Sequence, residues 1–236
     1  MSVMTASMVA PTPVTRTAVR LMILIILLSM LFLVVQYPSL PWLLPVHFKP
    51  DGVPNGWQYK TAARVLMPVL VQLALALTLG AITALLLSRN RSAHDDQAPD
   101  VRAAAAAAEA VTLIAVIWVA FQGYAAVALV RMWMTERGGL GPWYIYAELF
   151  GLVLTGIVAA RAHAHVGRPA PRPFVPHHWR FGELYANPSD PALFVPTRDG
   201  SRWTLNFGRS VAVALLGFII AIGIIGPTVI LGLALR

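Results

Sequence analysis

Residues 21–35 read LMILIILLSMLFLVV: fifteen positions with no charge and Ser29 as their one polar side chain. A water-facing helix would need polar residues every few positions, and this run lacks them. Widened to 18–37, the stretch reaches the roughly 20 residues that cross a bilayer core. Four more stretches of this kind follow at 63–87, 110–130, 140–160 and 211–235. A backbone in hydrocarbon must satisfy its own hydrogen bonds, so each reads as a helix. The expected fold is an all-α integral membrane protein with five transmembrane helices. Composition agrees: 58% of residues are apolar and 12% charged, against about 45–50% and about 25% in soluble domains. Arg16 and Arg20 ahead of the first run resemble the start of a signal peptide. No small-x-small cleavage site follows, so the run is expected to remain as an anchor.

Lys and Arg on alternate sides of the spans set the orientation. With the N-terminus inside, the inner segments carry twelve and the outer segments six. The positive-inside rule therefore predicts a bacterial plasma-membrane protein with a cytoplasmic N-terminus and an extracellular C-terminus. The organisation that follows is a tail at 1–17, a first helix pair at 18–90 with an outer loop at 37–62, and a linker at 91–101. A second helix pair at 102–166, an inner module at 167–210 and a last helix at 211–236 complete it. The net charge of +8 belongs to arginines that flank spans, as attraction to anionic lipid requires. A nucleic-acid binder would gather that charge in one patch, so no nucleic-acid partner is expected. The chain has no cysteine, which removes disulfides, thiol nucleophiles and Cys-ligated zinc. No span carries a nucleophile beside a base or a His-Glu-x-x-His pattern. Neither catalysis nor a cofactor is expected.

The outer loop, LPVHFKPDGVPNGWQYK at 44–60, places Pro-Asp-Gly (Pro50, Asp51, Gly52) and Pro-Asn-Gly (Pro54, Asn55, Gly56) four residues apart. Both follow turn grammar, with Pro at the second position and Gly after an Asx, and two tight turns are predicted. Trp42, Phe48, Trp57 and Tyr59 supply rings that favour the headgroup zone. Two readings stay open: an interfacial cap over the bundle, and a recognition surface for an extracellular peptide or protein. His47 sits beside the turns, where imidazole exchanges protons near neutral pH.

Residues 37–60 also resemble a bacterial membrane domain, domain of unknown function 1648 (DUF 1648), over roughly residues 20–70. The likeness rests on Leu40, Pro41, Pro45, His47, Phe48, Gly52, Pro54, Asn55, Trp57 and Lys60. Its best-known relatives are immunity proteins that protect bacteria from a sporulation-delaying toxin, so the resemblance implies an immunity-like envelope role.

The inner module contains a second ordered island. Asn187-Pro188 and Asp190-Pro191 start turns, and two apolar runs around Asp199-Gly200 predict a β-hairpin. Trp203, Leu205 and Phe207 fall on one face at period two, and Arg202, Thr204 and Asn206 on the other. A lone hairpin is marginal in water, so its aromatic face is expected against membrane or bundle. The segment resembles domain of unknown function 5808 (DUF 5808) through Tyr185 to Pro191, Phe194 to Arg198 and Trp203 to Phe207.

Ionisable groups within spans are costly and are functional candidates by default. Glu148 in the fourth span is expected to pair with Arg131 at the end of the third. Were Glu148 instead to line a water-filled path, with Gln72 and Gln122 as the other intramembrane polar groups, the chain would be a small transporter or a transporter subunit. Glu109 reads as a boundary residue, Asp100 as a helix cap, and residues 103–108, all alanine, as an extension of the third helix into the cytoplasm. His163 and His165, two apart, face away from each other on a helix. With His177 and His178 they lack the three or four converging ligands zinc needs, so no metal is expected. Gly151, Thr155 and Ala159, and Gly217 and Ala221, recur every four residues, the spacing that lets helices approach. Gly226-Pro227 should kink the last helix. The functional expectation is a non-catalytic binding, sensing or immunity-like protein that meets the lipid bilayer, an extracellular ligand and a membrane-protein partner.

Overall fold

The computed structural model describes residues 6–49, 53–90, 99–135, 139–167, 169, 173–190 and 192–217. In chain order it contains β1 (Ala6–Met8), α1 (Pro13–Gln36), β2 (Leu43–Phe48), β3 (Pro54–Tyr59), α2 (Ala62–Val65), α3 (Met67–Leu87) and β4 (Ser88–Asn90). These are followed by α4 (Pro99–Thr135), α5 (Pro142–Val166), β5 (Trp179–Arg180), β6 (Leu184–Tyr185), β7 (Phe194–Pro196) and β8 (Trp203–Leu205). The protein is mostly helical, and α1, α3, α4 and α5 are each long and apolar enough to cross a membrane.

Local chemistry sets the helix ends. Proline occupies the first position of α1, α4 and α5, where its missing N–H costs nothing and its fixed φ suits the helix. Thr61 caps α2 by accepting from the Arg64 amide at 3.3 Å. Gly167, at φ +63, follows α5 and provides the left-handed residue that commonly ends a helix. At 37 residues, α4 is about 55 Å long, well beyond a hydrocarbon core, as the alanine run predicts. It begins at Pro99, so Asp100 lies inside the first turn and not at the cap.

Four of the five expected spans are helices long and apolar enough to cross a membrane. Residues 210–217 are helical; the rest of the fifth, with Ala221 and the Gly226-Pro227 kink, lies outside the described residues. So does most of the 91–101 linker. The helix expected from residue 18 begins at Pro13, and the N-terminal tail is not purely coil: β1 pairs antiparallel with β4, Ala6 opposite Asn90 and Met8 opposite Ser88.

The chain divides into two compact units. One comprises Pro13–Gly80 and Ala110–Arg161. Its core joins Leu33, Leu40, Leu44, Val65, Val69, Ala126, Val130 and Trp133, and a second cluster holds Met22, Ala115 and Val119. Here α4 is central and α5 peripheral: 39% of the apolar window of α4 is buried but only 6% of that of α5. Between the clusters lies a polar node. Gln72, fully buried, donates from Nε2 to the Ser29 hydroxyl at 3.0 Å and to the Val119 carbonyl at 2.9 Å, while its Oε1 is buried without a protein partner.

Gly123 faces this node; a Cβ there would lie 3.1 Å from the Ser29 Oγ. Of the four-residue repeat in α5, Gly151 rests against Ile117 and Trp118 and the Thr155 hydroxyl bonds back to its carbonyl at 2.8 Å. Ala159 is exposed and brings no helix close; a Cβ on Gly217 would meet nothing within 4 Å among the described residues, and its expected partner Ala221 lies outside them. For Ala159 the reason is that α5 turns most of its surface outward.

The other unit comprises Met1–Thr12, Ala81–Glu109 and Ala162–Arg236. The Val9 amide bonds to the Leu87 carbonyl at 2.7 Å. The Thr12 hydroxyl donates to Glu109 at 2.5 Å, which gives this carboxylate a partner within the protein. The remainder of the unit is the module carrying β5 to β8.

Candidate functional site

The outer loop is a β-hairpin. β2 and β3 pair antiparallel, Leu43 opposite Tyr59, Leu44 opposite Gln58 and Pro45 opposite Trp57; the register then shifts on both sides of His47, which faces Gly56. The Lys49 amide closes the tip onto the Val53 carbonyl at 2.9 Å. Pro54, Asn55 and Gly56 thus lie in a strand, which corrects the expected second turn. The physical reason is the side chain of His47: a Cβ on residue 56 would stand 2.8 Å from the His47 Cβ, so glycine is needed for strand approach here and not for a turn. Asp51 lies outside the described residues.

Most of the predicted site residues in this hairpin hold it in place. Lys60 Nζ donates to the carbonyls of Tyr37 at 3.1 Å and Leu40 at 2.8 Å and lies 5.0 Å from the centre of the Tyr37 ring. The ammonium therefore sits on carbonyls of the short 3-10 turn (Tyr37–Ser39) and its capping residue just past the end of α1. Trp133, buried in α4, donates from its indole N–H to the Pro45 carbonyl at 3.2 Å. Arg64 donates to the Tyr59 carbonyl. Phe48 packs half-buried against the core and does not present its ring.

What remains exposed is an aromatic face: Trp42, Trp57 and Tyr59, with Trp42 and Tyr59 in edge contact at 6.4 Å. At one end of it the His47 ring meets the Asn55 carboxamide at 3.0 Å. Trp133 was not marked by the sequence, and Gly56 was marked only as a turn residue. A tryptophan at the end of a span reads as an interfacial anchor, and only the tertiary contact shows otherwise.

The expected Arg131–Glu148 ion pair does not form. Arg131 is exposed although its neighbours Val130, Met132 and Trp133 are buried, and Glu148 is exposed on α5. Each side chain is turned off the face where the helices pack. Glu148 lies among exposed Trp143, Tyr146, Leu149 and Phe150.

The inner module contains the predicted hairpin, with Phe194 opposite Leu205 and Pro196 opposite Trp203. Its turn is built by Asp199, which accepts from the Thr197 hydroxyl at 2.6 Å, the Ser201 amide at 3.1 Å and the Ser201 hydroxyl. These bonds, chiefly the one from Ser201, hold the carboxyl down at about 2. Asn206 is the module's centre and is fully buried. Its Oδ1 accepts from the amides of Asn187 and Gly208, both at 3.0 Å; its Nδ2 donates to the carbonyls of Asn187, Asp190 and Ala192. The Tyr185 hydroxyl donates to Asp190 at 3.0 Å. A Cβ on Gly208 would lie 2.5 Å from Asn187 backbone. Pro188 is an exposed turn residue, and Phe207 leaves the strand in a turn, so the expected alternation stops at Leu205.

The sequence reading missed a second hairpin in this module, β5 with β6, Trp179 opposite Tyr185. Arg198 lies 4.5 Å from the centre of the Phe174 ring, beside a cavity of about 250 Å³ lined by Phe174, His178, Trp179, Tyr185, Pro196 and Arg198 among others. Among the described residues no three His, Asp or Glu side chains gather in a way that could hold a metal ion.

Residues 24–71 match the family model described as Domain of unknown function (DUF1648). The match covers about a fifth of the chain: the second half of α1, the hairpin, α2 and the start of α3. No curated protein and no solved structure matches the chain.

Proposed function

We propose that the chain is a non-catalytic multi-pass protein of the bacterial plasma membrane whose β2–β3 hairpin recognises a peptide or protein outside the cell. The observation that carries this reading is a rigidly fastened hairpin with an aromatic face left uncovered. Lys60 and Trp133 fix the backbone, so Trp42, Trp57 and Tyr59 are ordered before any ligand arrives, and large rings held in place bind at low entropic cost. The N-terminus is cytoplasmic and the C-terminus extracellular on the charge distribution, with the hairpin outside and the β5–β8 module inside. The similarity of residues 24–71 to DUF1648 supports an immunity-like role within this proposal. The likeness of residues 179–209 to DUF 5808 belongs to the same proposal, as does a membrane-protein partner on α5, where Glu148 stands on an apolar exposed face and a carboxylate in lipid calls for a partner.

The test is site-specific photocrosslinking from position 57 in living cells. Recovery of one defined peptide or protein, lost in Trp42→Ser and retained in Leu152→Ala, supports the proposal. Recovery of lipid alone from every hairpin position contradicts it and leaves the hairpin as an interfacial cap.

A further inference from the structure

The β5–β6 hairpin turns through Phe181 and Gly182, at φ 51 and φ 80, and the Glu183 amide bonds back to the Arg180 carbonyl at 3.3 Å. Two consecutive left-handed residues make a tight primed turn, whose usual occupants are Asn, Asp and Gly. A bulky aromatic in that conformation is an outlier, because its Cβ crowds the following carbonyl. Phe181 is also 95% exposed. The fold therefore bears a backbone cost and an uncovered ring at one residue, with no contact among the described residues to offset either.

The surroundings point to what covers it. Leu184 and Phe174 are exposed on the same hairpin and its approach, and Phe174 lies 6.3 Å from Trp179. Exposed Arg180 and Arg198 flank these apolar groups. Residues 161–210 carry seven arginines against three carboxylates, Glu183, Asp190 and Asp199, and the last two are engaged in internal hydrogen bonds. The β5–β8 module that carries this hairpin is tied to helix ends on both sides. Trp203 donates its indole N–H to the carbonyl of Gly167, the residue after α5, at 3.0 Å. The Phe207 amide bonds to Tyr185 in β6 at 2.8 Å, two residues before Arg209 and the helical segment 210–217.

We propose that the β5–β6 tip is a membrane-dipping finger: Phe181 enters the interface of an acidic phospholipid surface, with Arg180 and Arg198 on lipid phosphates. Aromatic rings favour the headgroup zone, and basic side chains near anionic lipid are attracted to it over a Debye length. The inference rests on the proposed function only in taking α5 as membrane-spanning; the outer hairpin plays no part in it.

The experiment uses the full chain in nanodiscs, and the absence of native cysteine permits single-cysteine labelling. Bimane is attached to Phe181→Cys, to Ser189→Cys as an exposed module control, and to Leu152→Cys within α5, and quenching by nitroxide lipids is read. The expected result is several-fold stronger quenching at 181 than at 189 in discs containing phosphatidylglycerol, weaker in pure phosphatidylcholine and weaker at high salt. A second variant guards against a disturbed turn. With the reporter at Leu184→Cys, Phe181→Asn keeps the left-handed turn and should lower the quenching several-fold. Equal, weak quenching at 181 and 189 in both lipids, with 152 strongly quenched by deep nitroxides, overturns the finger and leaves that tip to a protein. Absence of quenching at 152 would instead strike the membrane-spanning reading of α5.

Discussion

The β2–β3 hairpin and the module around β7–β8 are both made of short antiparallel strands, yet they are fastened differently. The first is held from outside itself: Lys60 reaches carbonyls just past the end of α1, and Trp133 reaches in from α4. The second is held from within by Asn206, which ties two backbone amides and three carbonyls of the segment 187–208. A two-stranded hairpin alone is marginal in water, so each needs something extra. The first draws it from a helix bundle and spends its exposed residues on an aromatic face. The module draws it from one buried carboxamide and exposes a strained phenylalanine.

The largest expected effect breaks the module and leaves the hairpin intact. Asn206→Ala removes five hydrogen bonds at a fully buried site, and leaving buried partners unpaired costs about 1–3 kcal/mol each at most sites. A net loss of roughly 4 kcal/mol is expected. Hydrogen exchange should rise across 185–208 while protection of the β2–β3 ladder is unchanged. Parallel loss in both regions would show that the two are not separately fastened.

Lys60→Met makes the reciprocal cut. It gives up two charge-assisted bonds to carbonyls, worth about 2 kcal/mol together after resolvation. Exchange should increase at 42–59 and at the end of α1, with 185–208 unaffected. Gly56→Ala sharpens the same side of the comparison. The added Cβ meets His47, and overpacking of this kind costs about 1–2 kcal/mol. In a double-mutant cycle read by thermal unfolding, His47→Gly should relieve most of that loss; an additive outcome would refute the proposed contact.

The smallest effect concerns the β7–β8 turn. Asp199 has its carboxyl lowered from 3.8 to about 2 by hydrogen bonds from Ser201 and Thr197. A depressed carboxyl contributes stability that is present above its ordinary value and is lost as pH falls through the folded one. The Ser201 amide resonance should hold steady from neutral pH to about 3 and shift as pH falls through about 2. In Asp199→Ala that titration should vanish.

The helices were legible because apolar length is a property of consecutive residues: α3 and α5 fall where the hydrophobic runs place them, and α4 runs on through its alanines. The β7–β8 turn was legible because Asp199-Gly200 is local chemistry. Pro54-Asn55-Gly56 misled for the same reason, since its grammar is that of a turn while its glycine answers to His47 across the strand. The β5–β6 turn escaped notice because Phe181 occupies a position where the usual signal is Asn or Asp. Lys60, Trp133 and the Ser29–Gln72–Gly123 node depend on residues 20 to 94 positions away, and no local pattern reports such pairings.

The proposed topology has the β2–β3 hairpin outside the cell and the β7–β8 module inside it. In a chain without native cysteine, Trp57→Cys and Ser189→Cys can each be probed in intact cells with a membrane-impermeant maleimide. Labelling at 57 in intact cells, and at 189 only after permeabilisation, is the predicted result. Labelling of both positions from the same side would contradict it.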